Sequence, residues 1–153
     1  EDRVENFSAI ANKIDEIRKE LLFLVDEDSN SFDRIMASFK LPNNSKEEKK
    51  IRLKAIYDSS IYAAEVPLRV MNRSYDSYKL IFELAKNGNQ NSISDAGVAC
   101  LCIHAAIYGA YLNVKINLKD ISNDQGILKK ADQIIKKSSF ERDKILSFIE
   151  KVI

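Results

Sequence analysis

The sequence predicts an all-α fold, an up-and-down helical bundle of long antiparallel helices. Three observations carry that prediction. Apolar residues recur at helical spacing along almost the whole chain. Only four glycines and two prolines, Pro42 and Pro67, are available to interrupt 153 residues. The polar clusters Asn43-Asn44-Ser45 and Asn87-Gly88-Asn89-Gln90-Asn91 read as turns between long periodic segments.

The elements follow in order. A first helix is expected from Arg3 to Lys40, stopping before Leu41-Pro42 because the residue ahead of a proline avoids the α region. Ser45 with Glu48 has the spacing of a capping box and starts the second helix. That helix heads toward Val66 and meets Pro67, where a break or kink is expected, with more helix to Lys86. Ser94 or Asp95 can cap a third helix through Val98, Leu101 and Ala105 to Asn113. Ser122 with Gln125 is a second capping-box pattern, and a final helix runs to Val152.

Composition narrows the classes. No repeat, low-complexity tract or linker divides residues 1–153, which read as one domain. Basic and acidic residues number 24 and 23, a net charge of +1, so an electrostatic nucleic-acid binder is not expected. The longest apolar run is too short to cross a bilayer, so no membrane partner is expected either. No signal-peptide pattern opens the chain, and Cys100 and Cys102 are too close to bridge within one helix. A reduced, cytoplasmic setting is the expectation.

One residue breaks the pattern of the first helix. Phe7, Ile14 and Leu21 are seven apart, the next step lands on Asp28, and the row resumes at Ile35. Ile10, Ile17 and Leu24 form the companion row of this heptad-like seam. Asp26 and Glu27 fall off it. A carboxylate on an apolar seam is costly unless it is paired or protonated, and desolvation favours the neutral acid. A carboxyl held neutral is what a general acid requires. The other reading is an ion pair with a neighbouring helix, or a wet end of the bundle.

Four stretches carry a family resemblance: LVDEDSNSFDRIMASFKLPNNSKEEKKIR, AAEVPLRV, AKNGNQNSISDAGVA and YGAYLNVKINLKDI. In this order and spacing the chain resembles the cyclodeaminase domain of formimidoyltransferase-cyclodeaminase. It resembles equally the stand-alone methenyltetrahydrofolate cyclohydrolases. The resemblance implies an all-helical homodimer whose substrate is a tetrahydrofolate derivative, with no metal and no further cofactor. Cyclodeaminases close 5-formiminotetrahydrofolate to 5,10-methenyltetrahydrofolate and release ammonia; cyclohydrolases open the methenyl ring to 10-formyltetrahydrofolate. The second aspartate of the family's LVDxD pattern is the catalytic acid, and it falls on Asp28. Relatives carry an upstream glycine-rich segment of the PTPGGGS kind that is absent from these residues, and with no initial methionine a truncated N-terminus is the expectation. A non-catalytic helical interaction module is the rival from another class.

Further residues take candidate roles through the same resemblance. Asp95, in the SDAG stretch, would lie at a helix N-terminus near the substrate, or serve simply as a cap. Asn113 and Asn117, one turn apart on a stripe with Ala106, Gly109 and Ala110, would read a pterin edge through their amides, or lie in a tight helix contact. Lys115, with Lys119 and Arg69 behind it, would meet folate carboxylates, or be plain surface charge. His104 shares a helix face with Cys100, but two ligands are too few for a four-coordinate zinc site, and both cysteines are expected to pack as small hydrophobes. The tyrosines at helical spacing, Tyr62, Tyr78 and Tyr111 among them, read as core or interface.

Overall fold

Each of the predicted helices forms, and local chemistry explains where each begins and ends. The structure is a computed structural model that describes residues 2–124 and 126–153, side chains of residues 2–4 excepted. Helix α1 spans Asp2–Phe39, α2 Lys46–Asn87, α3 Ile93–Asn117 and α4 Ile127–Val152, with a short 3₁₀ turn at Gln90–Ser92.

The end of α1 is tied down from α2. Its last turn holds no basic residue of its own, and Arg52 Nη2 donates to the Phe39 carbonyl at 2.9 Å. The capping box at the start of α2 forms as the sequence predicts. Ser45 Oγ accepts from the Glu48 amide at 3.1 Å, and Glu48 Oε2 accepts from the Ser45 amide at 2.9 Å. Gly88 closes α2 by donating its amide to the Leu84 carbonyl at 2.8 Å. A Cβ at Gly88 would lie 2.4 Å from that carbonyl oxygen, so only glycine fits so close a return. Gly88→Ala is expected to cost about 1–3 kcal/mol, read as a lower urea midpoint at unchanged slope.

The break expected at Pro67 is absent: α2 runs unbroken through it. Proline lacks the amide that would bond the carbonyl four residues back, here that of Ala63. Ala63 is 2% exposed, so water cannot replace the bond. Asn117 replaces it instead, donating from Nδ2 to the Ala63 carbonyl at 2.7 Å. The proline is thus accommodated by a side chain from the facing helix.

Two other boundaries move. Helix α3 begins at Ile93, before the expected caps Ser94 and Asp95, and continues one turn past Asn113. The preceding 3₁₀ turn is capped by Asn89, whose side chain accepts from the Asn91 amide at 3.0 Å. At α4 the Ser122–Gln125 capping box includes Gln125, which lies outside the described residues. Asp124 covers that helix start, its carboxylate accepting from the amides of Gly126 at 2.9 Å and Leu128 at 3.2 Å. Gly126 holds φ at 75°, the left-handed region that glycine adopts without strain.

Cross-helix bonds give the directions. Ser38–Ser59 and Arg73–Glu20 set α1 antiparallel to α2. Tyr111–Asp132 and Cys100–Arg142 set α3 antiparallel to α4. The core lies among α2, α3 and α4, around Met71, Tyr78, Cys100, Ile107, Val114 and Ile145. Helix α1 packs along α2.

Candidate functional site

The first helix has one deep row. Ile10, Ile17 and Leu24 are buried, and the row continues through Ser31 and Ser38, also buried. Their hydroxyls donate to the carbonyls of Asp28 and Ile35, each at 2.7 Å, so each serine satisfies itself within its own turn. The row of Phe7, Ile14, Leu21 and Ile35 lies on one flank, half-buried, and Asp28 on that row is exposed. Asp28 thus lies on the seam row, but a single chain does not bury it. A helix resting on essentially one neighbour buries one heptad row fully, and the adjacent row stands at its margin.

The opposite flank carries Glu20, Glu27 and Arg34, again seven apart. Glu27 is the member of the acidic triplet that meets α2: it accepts a short hydrogen bond from the Tyr62 hydroxyl and a second from Asn30 Nδ2 at 3.3 Å. Tyr62 holds the Glu27 carboxyl below its usual range, helped by Asn30 and by the charges of Arg34 and Arg69. The Arg34 guanidinium stands 4.3 Å from the centre of the Tyr62 ring, and that of Arg69 6.0 Å from the Phe23 ring. Glu20 pairs with Arg73 at 2.6 Å. Sequence reasoning set Glu27 aside for falling off the seam. The signal was the second seven-residue row, Glu20-Glu27-Arg34, of long polar side chains facing Tyr62 and Arg73.

The other candidates spread along α3. Asp95 is exposed in its first turn, beside a recess of about 290 Å³ lined by Ile81, Gly88 and Ala99. Asn117 is at the far end, roughly 33 Å away at 1.5 Å per residue. Within one chain these two do not share a small ligand. Asn113 and Lys115 are both exposed, and two residues' separation turns them to different sides of the helix. Lys115 Nζ lies 5.5 Å from the Tyr111 ring. The stripe of small residues also divides: Ala110 is buried, while Ala106, Gly109 and Asn113 face outward. Cys100 is buried, its thiol pushed up to about 11 by desolvation, but Cys102 is exposed and does not pack as expected. Among the described residues no three His, Cys, Asp or Glu side chains cluster as metal ligands.

The outward face of α3 is apolar. Val98, Leu101, Tyr108, Leu112 and Ile116 are all at least half exposed. Between Asp95 and Lys115 there is no Asp, Glu, Lys or Arg. The segment Gln90–Asn117 is long and apolar enough to cross a membrane by length and composition, contrary to the sequence expectation, and only 22% of its most apolar window is buried. Next to it an apolar groove is walled by Ile14, Leu21, Leu22 and Val25 of α1, Ile81 of α2 and Ile103 of α3. The margin of α1 that bears Asp28 therefore continues into an extended uncovered apolar surface.

Comparison with known proteins agrees with this architecture. The family model for formiminotransferase-cyclodeaminase matches residues 1–137. The chain belongs to this family. It is 36% identical over 105 residues to rat formimidoyltransferase-cyclodeaminase, covering 69% of this chain and 19% of that protein. It is 34% identical over 114 residues to the methenyltetrahydrofolate cyclohydrolase of Methylorubrum extorquens, covering 74% of this chain and 55% of that one. Its fold matches the formiminotetrahydrofolate cyclodeaminase of Thermotoga maritima with a TM-score of 0.77 and 26% identity, over 99% of this chain and 71% of the other. The chain thus spans about a fifth of the rat relative and about half of the bacterial cyclohydrolase.

Proposed function

We propose that this chain is the helical domain of a folate one-carbon enzyme that closes 5-formiminotetrahydrofolate to 5,10-methenyltetrahydrofolate with release of ammonia. The observation that carries the reading is the family match over residues 1–137, which includes Asp28 in its LVDxD setting. In ring closure N10 attacks the formimino carbon and its own proton passes to the outer nitrogen, making it an amine; the bond from the carbon to that nitrogen then breaks as the nitrogen takes up a second proton and leaves as ammonia. Asp28, as the neutral carboxyl, supplies that proton, an effect typically worth about 10²–10⁴-fold.

A neutral carboxyl needs shielding from water, and Asp28 is exposed in one chain. The reading therefore includes a homodimer. A second copy seated on the uncovered apolar surface of α1 and α3 would enclose Asp28. It would also bring one copy's α3, with Asn113, toward the other's α1. That surface bears the chain's long charge-free stretch, whereas α2 and α4 carry charges along their length, so an aqueous protein partner fits it better than lipid. Leu101→Asp combined with Leu112→Asp is expected to halve the sedimenting mass and leave the helical circular dichroism unchanged, since both leucines are exposed. A dimer surviving both charges would place the interface elsewhere.

The hydrolytic reaction is the second reading, favoured by the similarity to the Methylorubrum cyclohydrolase. There Asp28, ionised, would act as base toward water attacking the methenyl carbon. The methenyl chromophore separates the two readings. Its faster appearance from 5-formiminotetrahydrofolate supports the deaminase, and its faster loss supports the hydrolase. No change with either substrate would favour the interaction module.

A further inference from the structure

The chain's single histidine is held in a bonded network that spans three helices and that the reaction above does not use. Arg142 Nη1 on α4 lies 2.7 Å from His104 Nε2 on α3. His104 Nδ1 lies 2.9 Å from Ser138 Oγ on α4, and Ser138 Oγ lies 2.9 Å from the Tyr78 hydroxyl on α2. Ser138 and Tyr78 are buried.

Chemistry orders the protons. A guanidinium only donates, so Nε2 must carry the lone pair and Nδ1 the hydrogen. Nδ1 then donates to Ser138 Oγ, which shares one further proton with Tyr78. The arrangement works only with neutral imidazole. A proton on Nε2 would face two donors and two positive charges across 2.7 Å. We propose that His104 is a proton-sensitive latch between α3 and α4: neutral, it anchors Arg142; protonated, it expels the guanidinium and loosens α4 from the bundle.

The surroundings support this. From α4, His104 meets Arg142 and Ser138, with Asp143 behind, bonded to Arg142 Nε at 2.9 Å. Its bonded route to α2 runs through Ser138 to Tyr78, and Tyr78 is pushed up to about 12 by burial, so it stays neutral. On its own helix Tyr108 packs at 6.4 Å between ring centres. Burial first, then the Arg142 charge, push the His104 pKa below its ordinary value, and the more distant Asp143 opposes them. The folded chain thus binds the proton less readily than the unfolded chain. The latch is fully engaged above the unfolded value of about 6.5 and is lost as pH falls toward the lower folded value.

The test uses the intact chain. Nitrogen-15 NMR of the lone imidazole is expected to show the Nδ1–H tautomer at pH 7.5 and a titration midpoint below that of free histidine. Hydrogen exchange of α4, corrected for the chemical rate at each pH, should then show opening that grows by up to about tenfold per pH unit below pH 6.5. His104→Gln keeps an acceptor for Arg142 but cannot titrate, so its α4 opening should be flat over the same range. An Nε2–H tautomer, a midpoint at or above that of free histidine, or the same acid-induced opening in His104→Gln would overturn the proposal.

Discussion

Asp28→Asn is expected to lower turnover by about 10²–10⁴-fold while leaving the fold intact. The two halves of that expectation rest on different observations. Asparagine keeps the shape and the hydrogen-bonding capacity of the side chain but has no acidic proton to give. Asp28 is exposed, and among the described residues its carboxylate makes no hydrogen bond or ion pair, so the exchange should change stability by no more than about 0.5 kcal/mol. Glu27 is the neighbour that tests the assignment. Glu27→Gln weakens the bond from Tyr62 without removing a carboxyl from the α1 margin, and turnover should stay within about tenfold of the parent. If Glu27→Gln abolished turnover and Asp28→Asn spared it, the acid would be Glu27.

Asn117→Ala is expected to destabilise the chain by about 1–3 kcal/mol, because it strands the buried Ala63 carbonyl without a donor. At roughly 2–4 °C per kcal/mol for a chain of this size, Tm should fall by several degrees. The partner in this effect is Pro67, since the Ala63 carbonyl lacks a helical donor only because residue 67 has no amide. Pro67→Ala restores that amide, so in the Asn117→Ala background it should recover most of the loss. The double-mutant cycle should show a coupling of about 1 kcal/mol or more. A neutral Asn117→Ala with no coupling to position 67 would mean that the bond adds nothing to the fold, and the ligand-reading role would take precedence for Asn117.

Much of the fold was legible in the sequence because its cues are local. The Ser45–Glu48 box, the Leu41-Pro42 stop and the Asn-Gly cluster after Lys86 each act within a few residues, and each marks a helix boundary that the structure reproduces to within a residue or so. That α2 runs on unbroken through Pro67 was not legible because the accommodation is non-local: the donor that replaces its amide lies fifty residues away, on α3. Asp124 was missed because two capping-box letters, Ser122 and Gln125, flank it and match a stronger-looking pattern.

The candidate site was legible only in part. A heptad count identifies two rows but not which of them is deep, since depth depends on how many neighbours the helix has. With α2 as its main neighbour, α1 buries the Leu24 row and leaves Asp28 at the margin. The same count hid the Glu27–Tyr62 contact, whose partner lies on the next helix. The open apolar face of α3 was not singled out in sequence, because hydrophobicity alone does not distinguish a residue buried in the core from one left exposed on the surface.

Proton donation by Asp28 in the deaminase reaction is tested by ammonia release measured alongside methenyltetrahydrofolate formation from 5-formiminotetrahydrofolate. One ammonia is expected per methenyl group formed, at a rate well above buffer with the parent chain and close to buffer with Asp28→Asn. Parent and variant both at the buffer rate, or both equally fast, would contradict it.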